Sequence, residues 1–336
     1  MKSGKKRILV VRFSALGDVA MTLPVVYSLA EQYPDLQIDF ITSPFFARLF
    51  MNAPGNITVH GIDIKKEYRG VGGILRLLKR LSAFKPDYVA DLHNVLRSWI
   101  IDNWFRMKGV KVVMVDKMRE ARRAVIKEKE PQPSFFSRYA DVFAKLGYPV
   151  NIDFKSIFPT PRPATSVKIE HPAVGIAPFA RYSNKTYPLD KVEEVVKELT
   201  GKGVNIYLFG GRGAEAEMLG KLADKYDLAT SFAGKFPIEE ELALIANTDL
   251  MVSMDSANHH LASLSDTPAV SIWGSTTPAC GFMGYGQDPQ NALLLNLDCQ
   301  PCSIAGTPEC PLKTLACMNS LPPQQVVNKI LSLLKL

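Results

Sequence analysis

The sequence is short of several things that would narrow its role at once. No uncharged apolar run approaches the ~18 to 20 residues that a membrane-spanning helix needs, so any membrane role is expected to be peripheral. The opening stretch, MKSGKKRILVVRF, has a basic head but only five apolar residues before Arg12 and no small-residue cleavage site, so it does not read as a secretory signal. Cysteine is scarce, with 5 in 336 residues, too few for a disulfide scaffold of this size. The turn after the first apolar run has neither GxGxxG nor a Walker pattern, which weakens a dinucleotide or P-loop reading of that half. No DxD-type metal motif stands in a suitable place. No helix-turn-helix, zinc finger or RNP-type aromatic motif accompanies the basic residues, which disfavours nucleic acid. The expected location is the cytoplasm.

What is present begins with an uneven charge. Lys and Arg number 40 against 33 Asp and Glu. Residues 1–165 hold 27 basic against 15 acidic side chains, a net of +12, and residues 166–336 hold 13 against 18, a net of −5. Residues 65–129 alone carry 17 basic and 7 acidic. An asymmetry of this kind points to an anionic partner for one half: nucleic acid, an acidic membrane surface, or a phosphorylated or carboxylated substrate.

The length suggests two domains. Ile8–Phe13 reads as a buried strand, and Ser14–Asp18 as a turn. Val19–Gln32 has helical spacing and Ile38–Thr42 reads as a strand, a β-α-β opening that implies a parallel sheet with helices on both faces. The alternation continues with a helix near 73–84, a strand at 88–91, a helix near 96–107 and a strand at 111–115. Residues 159–172, PTPRPATSVKIEHP, have four prolines and no apolar periodicity, the pattern of a linker. The alternation then restarts, with strands expected at 173–177, 205–209, 249–253 and 269–273 and helices between them. The expected organisation is 1–160, 161–322 and a final helix at 323–336.

In doubly wound sheets ligands bind beyond the carboxyl ends of the strands. Asp18 sits in such a place, where it can either cap free N–H groups or accept a proton. The loop 177–188 offers Arg181 and Lys185 just before a helix, suited to a phosphate or simply solvated. The glycine turn opening at Gly210 would let a nucleotide approach the backbone, with Glu215 available to ribose hydroxyls, or be a plain tight turn. The run DSANHH at 255–260 could bond sugar hydroxyls through Asp255 and Ser256 and offer helix N–H groups to a pyrophosphate, or be a simple cap.

Four stretches taken together carry a resemblance: RFSALGDVAMTLPVVYSL, DLHNVLRS at 91–98, Lys185-Thr186-Tyr187-Pro188, and the run from Phe232 to Pro278. In this order they resemble the family 9 glycosyltransferases, whose best-known members are the lipopolysaccharide heptosyltransferases. The resemblance implies a GT-B architecture, two Rossmann-like α/β domains facing across a cleft, the first holding the acceptor and the second the nucleotide-sugar. It implies that Asp18, in the S-x-x-G-D motif, is the catalytic base, and that Lys185, helped by Arg181, contacts the donor phosphates. Asp255, Ser256, Ala257 and His260 fall on the family's donor element, with Ala257 in place of its glycine, and Glu215 completes the expected donor set. The expected acceptor contacts are Ser14, Gly17, Arg97, Ser98 and Arg122. Asn94 replaces a usual glycine before Arg97 and Ser98, and Tyr187 stands where the family often has Trp.

The implied reaction is inverting, metal-independent sugar transfer with no cofactor, from ADP-heptose onto an anionic glycolipid such as a lipopolysaccharide inner core. The implied place is the cytoplasmic face of the inner membrane. The alternatives are a family member with another nucleotide-sugar, or a non-catalytic nucleotide-sugar or glycolipid-binding protein, which should not need Asp18. Cys299, Cys302, Cys310 and Cys317 have a spacing compatible with a structural zinc site, though free or paired thiols are the expected state.

Overall fold

Ile8, Leu9, Val10 and Val11 have no exposed surface in the computed structural model, which describes residues 5–336. That is the environment of a strand covered on both faces. This strand, β1 (Arg7–Val11), lies at the centre of a five-stranded sheet with β2 (Gln37–Thr42), β3 (Ile57–Gly61), β4 (Tyr88–Asp91) and β5 (Lys111–Met114), in the order β3-β2-β1-β4-β5. All its pairings are parallel. Val11 pairs with both Ile41 and Asp91, so the loops that follow β1, β2 and β4 leave from one edge.

The helices are α1 (Leu16–Ala20), α2 (Leu23–Gln32), α3 (Pro44–Ala47), α4 (Ile64–Glu67), α5 (Gly70–Ser82), α6 (Leu96–Met107), α7 (Arg119–Glu128) and α8 (Phe135–Leu146). The single helix expected over 19–32 is two. Pro24 has no N–H to give an earlier carbonyl and sits in the first turn of α2, so a new helix starts there. β3 escaped the sequence reading because its residues, ITVHG, are mostly half-exposed and show little apolar signal.

The chain divides into two compact units. The first comprises the residues up to Lys117 together with Phe135–Ile157; the second comprises Met118–Ser134 and Phe158–Leu336. The arginine-rich α7 therefore belongs to the second unit. Val125 anchors it with no exposed surface, and the amide of Gln132 donates to the Ala279 carbonyl at 3.1 Å.

The second unit is a six-stranded parallel sheet of β6 (Ala173–Ala177), β7 (Asn205–Leu208), β8 (Ala229–Ser231), β9 (Leu250–Met254), β10 (Ala269–Ile272) and β11 (Ala292–Leu293), in the order β11-β10-β9-β6-β7-β8. Gly175 in β6 is required by packing, since a Cβ there would lie 2.1 Å from the Met251 sulfur of β9. The helices are α9 (Leu189–Gly201), α10 (Ala214–Ala223), α11 (Ile238–Asn247), α12 (Ala257–Leu264), α13 (Ala316–Asn319) and α14 (Pro323–Leu334).

Two expectations change here. The proline-rich stretch is not a free linker but lies on the second unit. Arg162 pairs with Asp249 at 2.8 Å, Ser166 bonds Glu240 at 2.7 Å, and the Glu170 amide donates to the Tyr207 hydroxyl at 2.8 Å. The terminal helix is not a separate piece either: Val326, Val327 and Ile330 of α14 are buried in the second core. Among the described residues no helix is long and apolar enough to cross a membrane.

Candidate active site

In the first unit, the run ILVVRF leaves β1 with a charged side chain still inside the protein. Arg12 is only 7% exposed, and it spends its guanidinium on two neighbours. One nitrogen donates to the Leu92 carbonyl at 2.6 Å, and another reaches Asp18 Oδ2 at 2.7 Å. Asp18 is the third residue of α1, where its Oδ2 also accepts from the Ala15 amide at 3.1 Å. Both bonds fall on one oxygen. Oδ1 has no partner among the described residues, and the side chain keeps 30% of its exposure, so one lone-pair face is open to an incoming hydroxyl. Asp18 thus caps its own turn and keeps a carboxylate oxygen exposed.

Ser14 is exposed and Gly17 half-buried in the same turn. Beyond β4, Asp91 closes the next turn by accepting from the amides of His93 and Asn94 at 2.8 and 2.9 Å. Arg97 is exposed at the start of α6. Ser98 is fully buried, and its hydroxyl accepts from the Val95 amide at 2.9 Å to cap that helix, so it supports the turn that presents Arg97 and faces no ligand. Arg122 lies on α7, within the second unit.

Three residues near this edge were missed from sequence. Arg12 was signalled only by being a charge inside an apolar run. His93, whose ring centroid is 6.1 Å from that of Phe13, is pushed down to about 4 by burial and then by Arg12, so it is neutral at pH 7. Asp102 of α6 is fully buried beside Asp91 and is pushed up to about 8, first by burial and then by that carboxylate. At neutral pH Asp102 keeps its proton.

In the second unit, the loops after β6, β9 and β10 converge because those strands are neighbours. Lys185 ends a 3-10 turn, Ser183–Lys185, and its Nζ lies 2.7 Å from Asp255 Oδ2. Thr276 donates to the same oxygen at 2.5 Å. The Ser275 amide donates to the Asn184 carbonyl at 3.1 Å, and a Cβ at Gly274 would come within 2.5 Å of that carbonyl, which explains glycine there. Thr276 was another residue the sequence reading did not single out.

Ser256 is the N-cap of α12 and Ala257 its first residue, in ordinary helical backbone with no demand for glycine. The Ser256 hydroxyl is buried without a hydrogen-bond partner among the described residues, a donor and acceptor left for something else. His260 is buried one position after His259, which burial pushes down to about 3. Arg181 is exposed and rests over the Tyr182 ring, 5.3 Å from its centroid. Glu215 turns back, accepting from the Gly211 amide at 2.6 Å, so one of its oxygens is committed to the glycine turn. Tyr187 is a core residue whose hydroxyl donates to the Leu321 carbonyl at 2.8 Å.

The cysteine-rich segment has a place in this arrangement. Asn184 and Thr307 exchange hydrogen bonds at 2.6 and 3.2 Å, Ser183 donates to the Pro308 carbonyl at 2.5 Å, and Gly306 lies against the Lys185 stem. The segment therefore backs the lysine. Cys299, Cys302, Cys310 and Cys317 are free thiols, and among the described residues no group of three or more His, Cys, Asp or Glu is arranged to hold a metal ion.

A family model, glycosyltransferase family 9 (heptosyltransferase), matches residues 74–313. Lipopolysaccharide heptosyltransferase 3 of Escherichia coli is 25% identical over 289 residues, which cover 77% of this chain and 81% of that protein. A solved family 9 glycosyl transferase from Veillonella parvula superposes with a TM-score of 0.73 at 19% identity, covering 99% of this chain and 98% of its own. E. coli heptosyltransferase WaaC with ADP gives 0.70 at 20% identity, covering 97% and 99%. The likeness to these solved structures shows the fold to be of the GT-B type, an α/β fold of two Rossmann-like units.

Proposed function

The chain belongs to glycosyltransferase family 9 and is a glycosyltransferase, and from that premise we propose that it transfers heptose from ADP-heptose to a lipopolysaccharide-core-type acceptor with inversion at the anomeric carbon. The observation that carries the mechanism is the Asp18 carboxylate, held through Oδ2 by buried Arg12 with Oδ1 left open. Asp18 takes the proton of the acceptor hydroxyl as that oxygen attacks the anomeric carbon from the face opposite the diphosphate. Assistance of this kind contributes about 10² to 10⁴-fold. The bond to the diphosphate breaks in the same step, and the negative charge it leaves is met by Lys185, by Arg181 and by the free N–H groups at the start of α12. Asp255 and Thr276 fix where Lys185 stands. Ser256 and His260 complete the donor set, and Glu215 retains one oxygen for a ribose hydroxyl. On the acceptor side Ser14, Gly17 and Arg97 flank Asp18's edge of the sheet, and Arg97 suits an acceptor phosphate or carboxylate. The proposed place of work is the cytoplasmic face of the inner membrane.

ADP bound to WaaC, one of the structures sharing the fold, supports an adenosine diphosphate donor. The test is a calorimetric panel of ADP-heptose against GDP- and UDP-sugars, followed by mass-spectrometric detection of the product on a lipopolysaccharide-core acceptor. Preferential binding of ADP-heptose and a product heavier by one heptose are expected. Equal or tighter binding of another nucleotide-sugar overturns the donor assignment.

A further inference from the structure

The first unit carries a second feature that the transfer reaction leaves unused. α4, α5 and α6 enclose a groove of about 330 Å³. Its wall is aliphatic, built from Ile64, Ile74, Leu77, Leu78, Ile100 and Ile101. Beside it further apolar side chains stand exposed. Val71 and Leu75, at helical spacing with Ile74 and Leu78, are 77% and 54% exposed. On α6, Leu96 is 74% exposed and Trp99 43%. Single exposed apolar residues are ordinary, but a contiguous set continuing from an aliphatic groove marks an interaction surface.

The charge at the groove identifies the partner. Lys65, Arg69 and Arg97 line it and are exposed, and no ion pair ties up any of them among the described residues. Arg76, Lys79 and Arg80 lie farther along α5. Aliphatic side chains and a tryptophan flanked by cations fit the boundary between headgroups and acyl chains of an anionic membrane. A protein partner offers no such pairing of hydrocarbon with a dense phosphate layer. One lining residue, Arg97, connects the groove to the sheet edge that carries the loop after β1. Helices in this unit start where strands end, and Arg97 opens α6 just beyond β4, whose last residue pairs with the last residue of β1.

We propose that this face of α4, α5 and α6 docks the protein on an anionic lipid bilayer, with the groove taking an acyl chain and Lys65, Arg69 and Arg97 meeting the phosphates. The proposal rests on the reading that the acceptor is an anionic glycolipid and deepens it by saying where the lipid surface lies. Docking would bring acceptor headgroups to the sheet edge that holds Asp18.

The test is flotation of the purified protein with vesicles of phosphatidylethanolamine mixed with phosphatidylglycerol, beside vesicles of phosphatidylcholine alone. The wild type and a Val71→Asp/Leu75→Asp variant are compared, with the variant's fold checked by thermal melting. The expected result is binding to the anionic vesicles that the variant weakens by roughly tenfold or more, the effect of losing exposed aliphatic area to the bilayer. Transfer to a water-soluble, deacylated acceptor should be unchanged in the variant. Equal flotation of variant and wild type, or binding to neither vesicle, overturns the proposal. So does a wild type that self-associates through this face, becoming monomeric on substitution without binding vesicles. Loss of transfer on every acceptor with vesicle binding intact counts against the proposed function and supports the docking surface.

Discussion

In the first unit a buried guanidinium holds a carboxylate that reaches solvent; in the second a buried carboxylate holds a lysine that is itself almost covered. Arg12 and Asp18 side chains are 8% and 30% exposed, whereas Lys185 and Asp255 are 11% and 5%. The difference separates two kinds of task. A base must offer a free oxygen to a hydroxyl, and in the proposed reaction Asp18 does so while its other oxygen is pinned. A group that meets a diphosphate has to be fixed in position, and Lys185, proposed for that part, is fixed by Asp255 and by the segment around Gly306. The acting charge in each unit also opposes or ignores the unit's net charge. Counted along the two units, the first holds 21 basic and 12 acidic side chains and presents a carboxylate. The second holds 19 and 21 and presents a lysine.

The comparison can be broken at either pair. The largest effect is expected from Asp18→Asn, which should lower turnover by about 10² to 10⁴-fold while leaving donor affinity by calorimetry unchanged. Near-normal turnover would remove Asp18 as base. Lys185→Ala should weaken nucleotide binding by roughly ten- to a hundredfold, the range for a lost charge-assisted hydrogen bond. It should also destabilise the protein, by about 3 to 5 kcal/mol if Asp255 is left as an uncompensated buried charge. Adding Asp255→Asn should recover stability in urea melts without recovering nucleotide affinity. Recovery of both would make the pair structural only.

Smaller effects test what stands behind each pair. A Cβ at Gly306 would lie 2.6 Å from the Lys185 Cδ, at a φ of +93° that side chains rarely adopt. Gly306→Ala should therefore cost a few-fold in nucleotide affinity, through Lys185, and an unchanged affinity would show that the segment does not position the lysine. The smallest effect concerns Asp102, whose folded value near 8 stands above its ordinary 3.8. Between those values the folded form keeps a proton that the unfolded chain has lost, so this group's contribution to stability is fully present below about 4 and is lost as pH rises towards 8. Asp102→Asn should flatten that decline in urea midpoints measured from pH 5 to 8. An identical slope in the variant would contradict the assignment.

Much of this is legible in the sequence. β4 and α6 fall on the residues that periodicity picks out, and the strand-loop-helix alternation anticipates both parallel sheets. Asp18, Lys185 and Asp255 lie in the segments that follow β1, β6 and β9, as the strand-loop-helix alternation anticipates. What was not legible depends on long-range packing. The arginines of α7 and α5 fall in one basic stretch of the sequence, 65–129, yet the two helices belong to different units, and nothing local to either segment reports that. Ser98 was expected as an acceptor contact from the family resemblance alone, and a buried helix cap and an exposed hydroxyl look alike in sequence. Asp102, within LRSWIIDNWFRM, drew no sequence expectation, and only its packing beside Asp91 shows that it is inside. The linker was misjudged because proline and polar residues mark irregular backbone and do not say whether that backbone is free or docked.

The central claim is that Asp18 deprotonates the acceptor in a single displacement on the donor sugar. Nuclear magnetic resonance of the product formed from a donor of known anomeric configuration tests it most directly. Inversion of that configuration is the predicted result, and retention would contradict the account.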